Sequence, residues 1–379
     1  MSNCVKKSMK IVSVFNNKGG VGKTTLTFHL AHALGEIGYK VLLMDLDPQC
    51  NLTIFSLDME NIHDIWAIED PFIDDFDAAR NATQFETYDR ALEELRSIHF
   101  LLKPTEDGTA ELAKQPPPAP LGHNVDLLPG RLTLHLYEAK VGERWSGIYQ
   151  GDPLAIRTAT RVRSLAQQYT EEYKYDFVIL DTSPSLGALN RDLLSLADGF
   201  IVPCSPDLFS VYGIRNIGNA LKVWQKQFQS VFHFLSDQKR DQFPSRFVEF
   251  LGYTIYNARK YTTSATSDNP LSLAIAHYNY AKQIPSTIHR YIAEESRTKI
   301  SLEILDKSIG HTAVIHSHNT LPSMAQKYHK PMWLLPKHQN LEPHDRSTIS
   351  GNRAIYENTQ DAYHEFAQDF INRVSGLDL

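Results

Sequence analysis

A glycine-rich loop near the start of the sequence constrains the fold more than any other feature. The loop spans residues 18–25, KGGVGKTT, and follows a short apolar run rich in β-branched residues at 10–15. After the loop, leucines recur every four residues, which is typical of a helix packed on a sheet. A second apolar run at 40–49 ends in carboxylates. Strand, glycine loop, helix and strand in this order predict a βαβ unit and therefore a parallel sheet.

The residue types of the loop are those that bind phosphate groups. Its glycines allow backbone N–H groups to turn inward onto phosphate oxygens, and the helix that begins near Lys23 adds its dipole to the same anion. Lys23 can reach the β- and γ-phosphates of a nucleotide, and the Thr24 hydroxyl can bind Mg²⁺. The predicted nucleotide site contains the loop residues Lys18, Gly19, Gly20, Val21, Gly22, Lys23, Thr24 and Thr25.

Further apolar runs extend the strand and helix pattern along the chain. We predict strands at 176–181, 200–206 and 250–259, short late strands at 312–317 and 331–336, and helices at 211–228, 283–296 and 357–374. The expected fold class is α/β, with a doubly wound, mostly parallel sheet and helices on both faces.

An acidic stretch at 57–122 differs from the rest of the chain. It contains 15 acidic and five basic residues, a net charge of −10, and it ends in the proline-rich segment KQPPPAPLG, which suits a linker or a loop. Charge runs are usually solvated surface, so an insertion that faces water is one interpretation. A docking element for a partner is the other, and the sequence leaves both open.

Composition excludes several classes of protein. The 379 residues carry a net charge of −6, and 42% are hydrophobic, which is too many for a disordered chain. No apolar run is long enough for a transmembrane helix, and no apolar segment at the start predicts a secretory signal. Three scattered cysteines, Cys4, Cys50 and Cys204, have no metal-binding spacing and favour a reducing compartment. We therefore expect a cytoplasmic protein.

The loop departs from the usual phosphate-binding pattern in an informative way. Asn17 stands where such loops normally begin with glycine, and Lys18 follows it. The form KGGVGKTT resembles the deviant Walker A motif of the ParA/MinD group of P-loop ATPases. VLLMDLDPQCNLT (41–53), NVDLLPG (124–130) and YDFVILDTSPSLG (175–187) are similar to further segments of that group.

The resemblance covers residues 10–228 and 250–374 and implies the domain organisation. It is interrupted by the acidic insertion at 57–122 and by shorter insertions near 145–157 and 230–246. Only nine residues precede the first strand, which implies the short form without an N-terminal DNA-binding domain. The expected organisation is a single ParA-like P-loop ATPase domain over residues 1–379.

The resemblance also implies roles for individual residues in the binding and hydrolysis of ATP. Lys18 would reach across a dimer interface to the phosphates of the partner. Asp47 would orient the attacking water, and Asp181 would hold Mg²⁺ through a water, together with Thr24 and Asp47. Asn257 is either an adenine contact or a turn residue at the end of a strand. The implied catalytic residues are Lys18, Lys23 and Asp47.

The implied function is an ATP-dependent homodimer that positions or segregates DNA with a ParB-like activating partner. Residues 207–293 carry a net charge of +5, and Arg259 and Arg290 are the candidates for contacts to non-specific DNA. Leu321 and His318 stand where the family often has arginine. The chain does not end in the basic amphipathic helix of membrane-bound relatives, so we expect no membrane contact.

Two alternatives to DNA partition remain open from the sequence. One is a positioning ATPase for a cargo other than DNA. The other is an adaptor that binds ATP but scarcely hydrolyses it, with the acidic insertion as its docking surface. Turnover that DNA and a partner protein stimulate would distinguish partition from the adaptor.

Overall fold

The computed structural model describes residues 9–258, 273–310, 315–316 and 320–378. Its strands are β1 (Lys10–Val14), β2 (Val41–Leu46), β3 (Ala119–Gly122), β4 (Val125–Leu128), β5 (Phe177–Thr182), β6 (Gly199–Cys204), β7 (Glu249–Ala258) and β8 (Ile315–His316). The helices of the first half are α1 (Lys23–Ile37), α2 (Asn51–Ser56), α3 (Met59–Asp74), α4 (Phe76–Ala82), α5 (Phe85–Ala91), α6 (Ile98–Asp107), α7 (Leu134–Ile148) and α8 (Pro153–Tyr173).

The helices of the second half are α9 (Ala188–Leu196), α10 (Leu208–Phe234), α11 (Asp237–Arg240), α12 (Ile275–Ala281), α13 (Ile284–Tyr291), α14 (Leu302–Leu305), α15 (Leu321–Lys327), α16 (Pro343–Gly351) and α17 (Arg353–Ser375). Short 3₁₀ helices lie at Glu294–Ser296, Met332–Lys337 and Gly376–Asp378.

The strands form one sheet with the order β3-β4-β2-β5-β1-β6-β7-β8. Neighbouring strands are parallel except for β3, which runs antiparallel to β4 at one edge. Because β1 lies inside the sheet and the chain returns to both sides of it, right-handed crossovers place helices on both faces. The predicted α/β class with a mostly parallel sheet is confirmed.

Burial on both faces explains why the strands read as continuous apolar runs. All residues of β2, β5 and β6 are buried, as expected for parallel strands that helices cover on both sides. β1 pairs with β5 so that Val14 lies opposite Asp181, and β2 pairs with β5 so that Asp45 lies opposite Asp181. The register therefore brings the residues after three strands to one edge of the sheet.

The acidic stretch forms a compact helical arm, which we define as α3 to α6, residues 59–107. Its core is aromatic: the Phe72, Phe76 and Phe100 rings are buried, with centroids 5.4–5.6 Å apart. The proline-rich segment that follows was predicted as a linker or loop, and this prediction is wrong in part because Ala119–Gly122 forms β3. An edge strand tolerates Pro120, since one side of such a strand needs no ladder hydrogen bonds.

The predicted strand at 331–336 is also wrong, because these residues form a 3₁₀ helix at Met332–Lys337. Pro336 lacks the N–H that an interior strand would have to donate. The apolar side chains pack against helices instead: the Trp333 ring is buried 5.6 Å from that of Tyr363 on α17, and its Nε1 donates to Glu36 at 2.7 Å. Of the predicted strand at 312–317, only Ile315 and His316 lie within the described residues, where they form β8.

Helices α10 and α13 approach each other closely at Gly218. A Cβ built on Gly218 would lie 2.3 Å from the carbonyl oxygen of Tyr291, at the end of α13. Backbone atoms cannot yield as the tip of a flexible side chain can, so this position excludes any larger residue without a shift of one helix.

We expect Gly218→Ala to lower the free energy of unfolding by about 1–3 kcal/mol, the usual effect of overpacking a close contact. Urea unfolding followed by circular dichroism measures this change. Gly351→Ala is the matched control, because nothing lies within 4 Å of a Cβ built at Gly351 on α16. Equal stability of the Gly218→Ala and Gly351→Ala proteins would show that the helices do not depend on this close approach.

Candidate nucleotide site

The glycine loop connects β1 to α1 in a conformation that requires glycine. Gly20 and Gly22 have φ values of 71° and 79°, in the left-handed region. A Cβ on Gly22 would lie 2.2 Å from the ring of Tyr256 on β7, whereas a Cβ on Gly19 or Gly20 would meet no atom within 4 Å. The loop is therefore closed by an aromatic ring on one side and open on the other.

Lys23 is buried inside the loop. Its side chain lies at the start of α1, the residue is 7% exposed, and its Nζ donates to the carbonyl oxygen of Lys18 at 3.3 Å. Burial lowers the pKa of Lys23, and the nearby carboxylates of Asp181 and Asp47 oppose this shift. The structure thus places Lys23 inside the loop, next to the carboxylates of Asp181 and Asp47.

Asp181 ends its strand beside the first turn of α1. Its Oδ2 accepts a hydrogen bond from the Thr24 hydroxyl at 2.8 Å, and burial together with the charge of Asp45 raises its pKa to about 8. Asp45 is also fully buried, and burial raises its pKa to about 7. A carboxylate with a raised pKa gains most from a nearby cation, because the cation restores the charged form.

Asp47 begins the loop after β2 and is 4% exposed. Its Oδ1 accepts from the backbone N–H of Gln49 at 2.9 Å, and its own N–H donates to Asp45 Oδ1 at 3.3 Å. Burial raises the pKa of Asp47, while Lys23 lowers it. Sequence reasoning missed Asp45 and Tyr256; the only local signal for Asp45 is a second carboxylate two residues before Asp47.

A cleft of about 390 Å³ opens above the loop. Beside the loop residues and Asp47, its lining contains Gln49, Asn51, Phe55, Pro184, Tyr256, Pro322, Ser323 and Gln326. The three last-named residues belong to α15, which begins at Leu321. Leu321 itself is buried, at 7% exposure, so this position offers no cation to a ligand.

The side chains of three residues that the sequence singled out cannot be placed. Asn257 lies near the end of β7, and its side chain is outside the described residues, as are Arg259 and His318.

The donor atoms around Thr24 fit magnesium bound together with a nucleotide. The described residues contain no group of three or more His, Cys, Asp or Glu side chains that could hold a metal ion alone. One hydroxyl and neighbouring carboxylates provide the oxygen ligands that Mg²⁺ prefers, with phosphate and water completing its coordination. The open glycine turn and the buried Lys23 likewise fit a polyphosphate.

The Lys18 side chain contacts residues at the start of α10. Its Nζ lies 2.5 Å from Asp207 Oδ2 and 5.6 Å from the centroid of the Phe209 ring. Asp207 also caps α10, since its Oδ1 accepts from the N–H of Ser210 at 2.9 Å. The Lys18 side chain is 27% exposed, so the two loop lysines differ in burial and in partners.

Arg290 lies on the exposed side of α13, next to basic residues of α10. The Arg290 and Arg215 guanidinium groups lie 5.4 and 5.6 Å from the centroid of the Tyr291 ring. Lys222 and Lys226 are exposed about two and three helical turns beyond Arg215 along α10. These cations form a basic surface across the α10–α13 pair.

Comparison with known proteins identifies the family. The AAA domain family matches residues 9–234, which is more than half of the chain. The chain belongs to the ParA/MinD group of P-loop ATPases. It is 27% identical over 221 residues to the sporulation initiation inhibitor protein Soj of Bacillus subtilis, covering 58% of this chain and 68% of Soj. It is 28% identical over 216 residues to the chromosome-partitioning ATPase Soj of Thermus thermophilus, covering 56% and 61%.

Two solved structures share the fold of this chain. A protein of Corynebacterium diphtheriae, DIP2308, superposes with a TM-score of 0.62 at 24% identity, covering 84% of this chain and 97% of that one. pNOB8 ParA superposes with a TM-score of 0.54 at 16% identity, covering 97% and 99%. The chain spans 63% and 49% of the length of the first two curated relatives it matches. Among the described helices, none has both the length and the apolar character needed to cross a bilayer.

The raised pKa values of the buried carboxylates predict the pH dependence of stability. Because Asp181 has a folded-state pKa of about 8 against an ordinary 3.8, the folded protein keeps a proton that the unfolded chain loses. The resulting contribution to stability is full below about pH 4 and is lost as the pH rises toward 8. We expect Asp181→Asn to gain stability relative to the wild type between pH 5 and 8, on the order of a few kcal/mol.

Urea unfolding of the nucleotide-free proteins at pH 5 and pH 8 measures this difference. Asp64→Asn, at an exposed position on α3, is the charge-matched control and should show no such gain. A stability difference between wild type and Asp181→Asn that is the same at both pH values would contradict the buried, protonated state of Asp181.

Proposed function

We propose that this protein is an ATP hydrolase that dimerises when it binds ATP and positions or segregates DNA. The observation that carries the proposal is the convergence of Lys23, Thr24 and Asp47 on one open cleft above the glycine loop, with Thr24 hydrogen-bonded to the buried Asp181. A relative named for chromosome partition, the Soj ATPase of Thermus thermophilus, supports the choice of cargo.

Hydrolysis in this proposal depends on positioning and on neutralisation of charge, as is general for phosphoryl transfer. The loop N–H groups and Lys23 bind the phosphates, and Asp47 orients the attacking water. Bound Mg²⁺, held by Thr24 and through water by Asp181 and Asp47, would supply neutralising charge at the phosphate oxygens. The protein excludes bulk water on one side of the loop, where Tyr256 packs on Gly22.

Lys18 acts in trans in this proposal, on the phosphates of the partner subunit. Its pairing with Asp207 at the start of α10 supports an outward direction, since the inner position of the loop belongs to Lys23. A cation supplied from a partner is worth orders of magnitude in the rate of phosphoryl transfer.

DNA binding in this proposal uses the basic surface of α10 and α13, with Arg290 and Arg215 at its centre and Arg259 as a further candidate. Cations that face the phosphate backbone give binding without sequence preference, and such binding weakens steeply with salt. A ParB-like activating partner, a single ATPase domain over 1–379, and an adenine contact by Asn257 complete the proposal.

The alternative is an adaptor that binds ATP without appreciable turnover and docks a partner through the helical arm. The exposed Met59 and Ile68 side chains on α3, at 48% and 47% exposure, favour it as a second candidate. ATP binding without turnover, unchanged by DNA, would support the adaptor over the partition ATPase.

Mixed dimers test the trans role of Lys18. We expect Lys18→Ala to bind ATP as a monomer without hydrolysis, and Asp47→Ala to bind ATP but hydrolyse it slowly. In a mixture of the two proteins, one site has both its own Asp47 and a Lys18 from the partner, so ATPase activity should return. Released phosphate, measured across mixing ratios, gives the result.

A mixture of Lys23→Ala with Asp47→Ala is the control and should remain inactive, because each site then lacks one residue that acts in cis. If mixed dimers of Lys18→Ala and Asp47→Ala form and no activity returns at any ratio, Lys18 serves its own site and the trans assignment is wrong.

The basic surface can be tested by charge reversal. Arg215→Glu and Arg290→Glu should each weaken ATP-dependent binding to duplexes of unrelated sequence by about tenfold, because each loses a phosphate contact and adds a repulsion. Lys140→Glu, at a partly exposed position on α7, is the charge-matched control. Anisotropy titrations between about 50 and 200 mM salt measure binding. Affinity that does not change with salt, or a sequence-specific footprint, would contradict backbone electrostatics.

A further inference from the structure

The helical arm is fastened to the loop that follows β4 by two successive residues. The Trp66 Nε1 of α3 donates to the carbonyl oxygen of Gly130 at 3.1 Å. The next residue, Arg131, also contacts α3. Its Nη1 donates to the carbonyl oxygen of Trp66 at 2.8 Å and to Glu69 Oε2 at 3.2 Å. Its Nη2 pairs with Asp70. Arg131 and Glu69 are 5% and 0% exposed, so solvent does not compete for the hydrogen bond between these two residues.

The same Gly130 is hydrogen-bonded to the candidate nucleotide site through Thr53. The N–H of Gly130 donates to Thr53 Oγ1 at 2.6 Å, and this hydroxyl donates to Asp45 Oδ2 at 2.6 Å. The other oxygen of Asp45 accepts the backbone N–H of Asp47 at 3.3 Å. A continuous chain of hydrogen bonds therefore runs from the indole of Trp66 to the backbone of Asp47.

The centre of this hydrogen-bond chain is tightly packed. A Cβ on Gly130 would lie 2.9 Å from the carboxylate of Asp45 and 3.2 Å from Cys50 Sγ. Thr53 and Asp45 are both 0% exposed. The Thr53 hydroxyl has a single proton, which it donates to Asp45, so it can accept from Gly130 at the same time, and such chains reinforce each other in a low dielectric.

We propose that Thr53, Gly130 and Trp66 are positioning residues for Asp47. The contact of the helical arm with Gly130 then fixes the position of the Asp47 carboxylate at the nucleotide. This inference rests on the proposed function, because it assigns Asp47 to ATP hydrolysis. It gives the arm a role in the reaction, since a displacement of α3 at Trp66 moves a hydrogen-bonded neighbour of the Asp47 loop.

A double-mutant cycle tests the proposal. Trp66→Phe removes the indole donor and keeps the ring, and Thr53→Val removes the hydroxyl at nearly the same volume. We expect each to lower kcat by about three- to tenfold, with ATP affinity unchanged, because Asp47 orients water and does not bind the phosphates. The double variant should be no slower than the slower single variant, since both changes break one chain. Thr53→Ser keeps the hydroxyl and should therefore have the kcat of the wild type.

Matched controls separate this effect from a general loss of stability. Trp145 Nε1 and Thr254 Oγ1 are buried and have no hydrogen-bond partner among the described residues. Trp145→Phe and Thr254→Val should therefore leave kcat unchanged. Effects of Trp66→Phe and Thr53→Val that multiply in the double variant would overturn the proposal.

Hydrogen exchange of the nucleotide-free protein gives a readout that does not depend on hydrolysis. Trp66→Phe should speed exchange of the Asp47 amide, and Trp145→Phe should not. An unchanged Asp47 amide in Trp66→Phe overturns the proposal. If the wild type hydrolyses no ATP, the proposed function fails, and the exchange result alone decides whether the arm positions the Asp47 loop.

Discussion

The balance of charge at the carboxyl edge of β1, β2 and β5 is the constraint on which the rest of the site depends. The strand register places Asp45 opposite Asp181, both fully buried, with Asp47 in the following loop. Such carboxylates lose their hydration and, to a smaller extent, repel neighbouring carboxylates, which is why their pKa values rise. The Lys23 ammonium offsets part of this cost, and a bound divalent cation would offset more. Cation binding therefore stabilises the protein most at these buried carboxylates, whose charge the protein itself compensates least.

The residues that the sequence predicted for this edge are those whose role follows from local order along the chain. Lys23 and Thr24 follow a strand and a glycine turn, and Asp47 and Asp181 come at the ends of apolar runs, so parallel pairing alone brings them together. Tyr256 escaped prediction because its contact with Gly22 joins residues more than 200 positions apart. No local pattern tells which side chain of a distant strand covers the loop.

Composition was a weaker guide than motif order in the rest of the chain. The net charge of the acidic stretch favoured solvated surface and left a docking element open, yet Glu69 is fully buried and is hydrogen-bonded to Ser97 and Arg131. Charge counts do not reveal which carboxylates find a buried partner. The apolar run at 331–336 shows the same limit, because a short run without periodicity suits a buried helix as well as a strand.

The two loop lysines show how burial decides which cation is free to change partners. Lys23 is enclosed by the loop, and its removal from the carboxylates would leave buried charge unpaired, which is costly. Lys18 is partly exposed, and its pair with Asp207 belongs to the class of surface ion pairs that contribute about 0–1 kcal/mol. Asp207 would keep its hydrogen bond to the Ser210 N–H and the favourable dipole of α10 after losing Lys18. In the proposed dimer, the exchange of Asp207 for a partner's phosphate would therefore cost Lys18 little free energy, whereas no such exchange is open to Lys23.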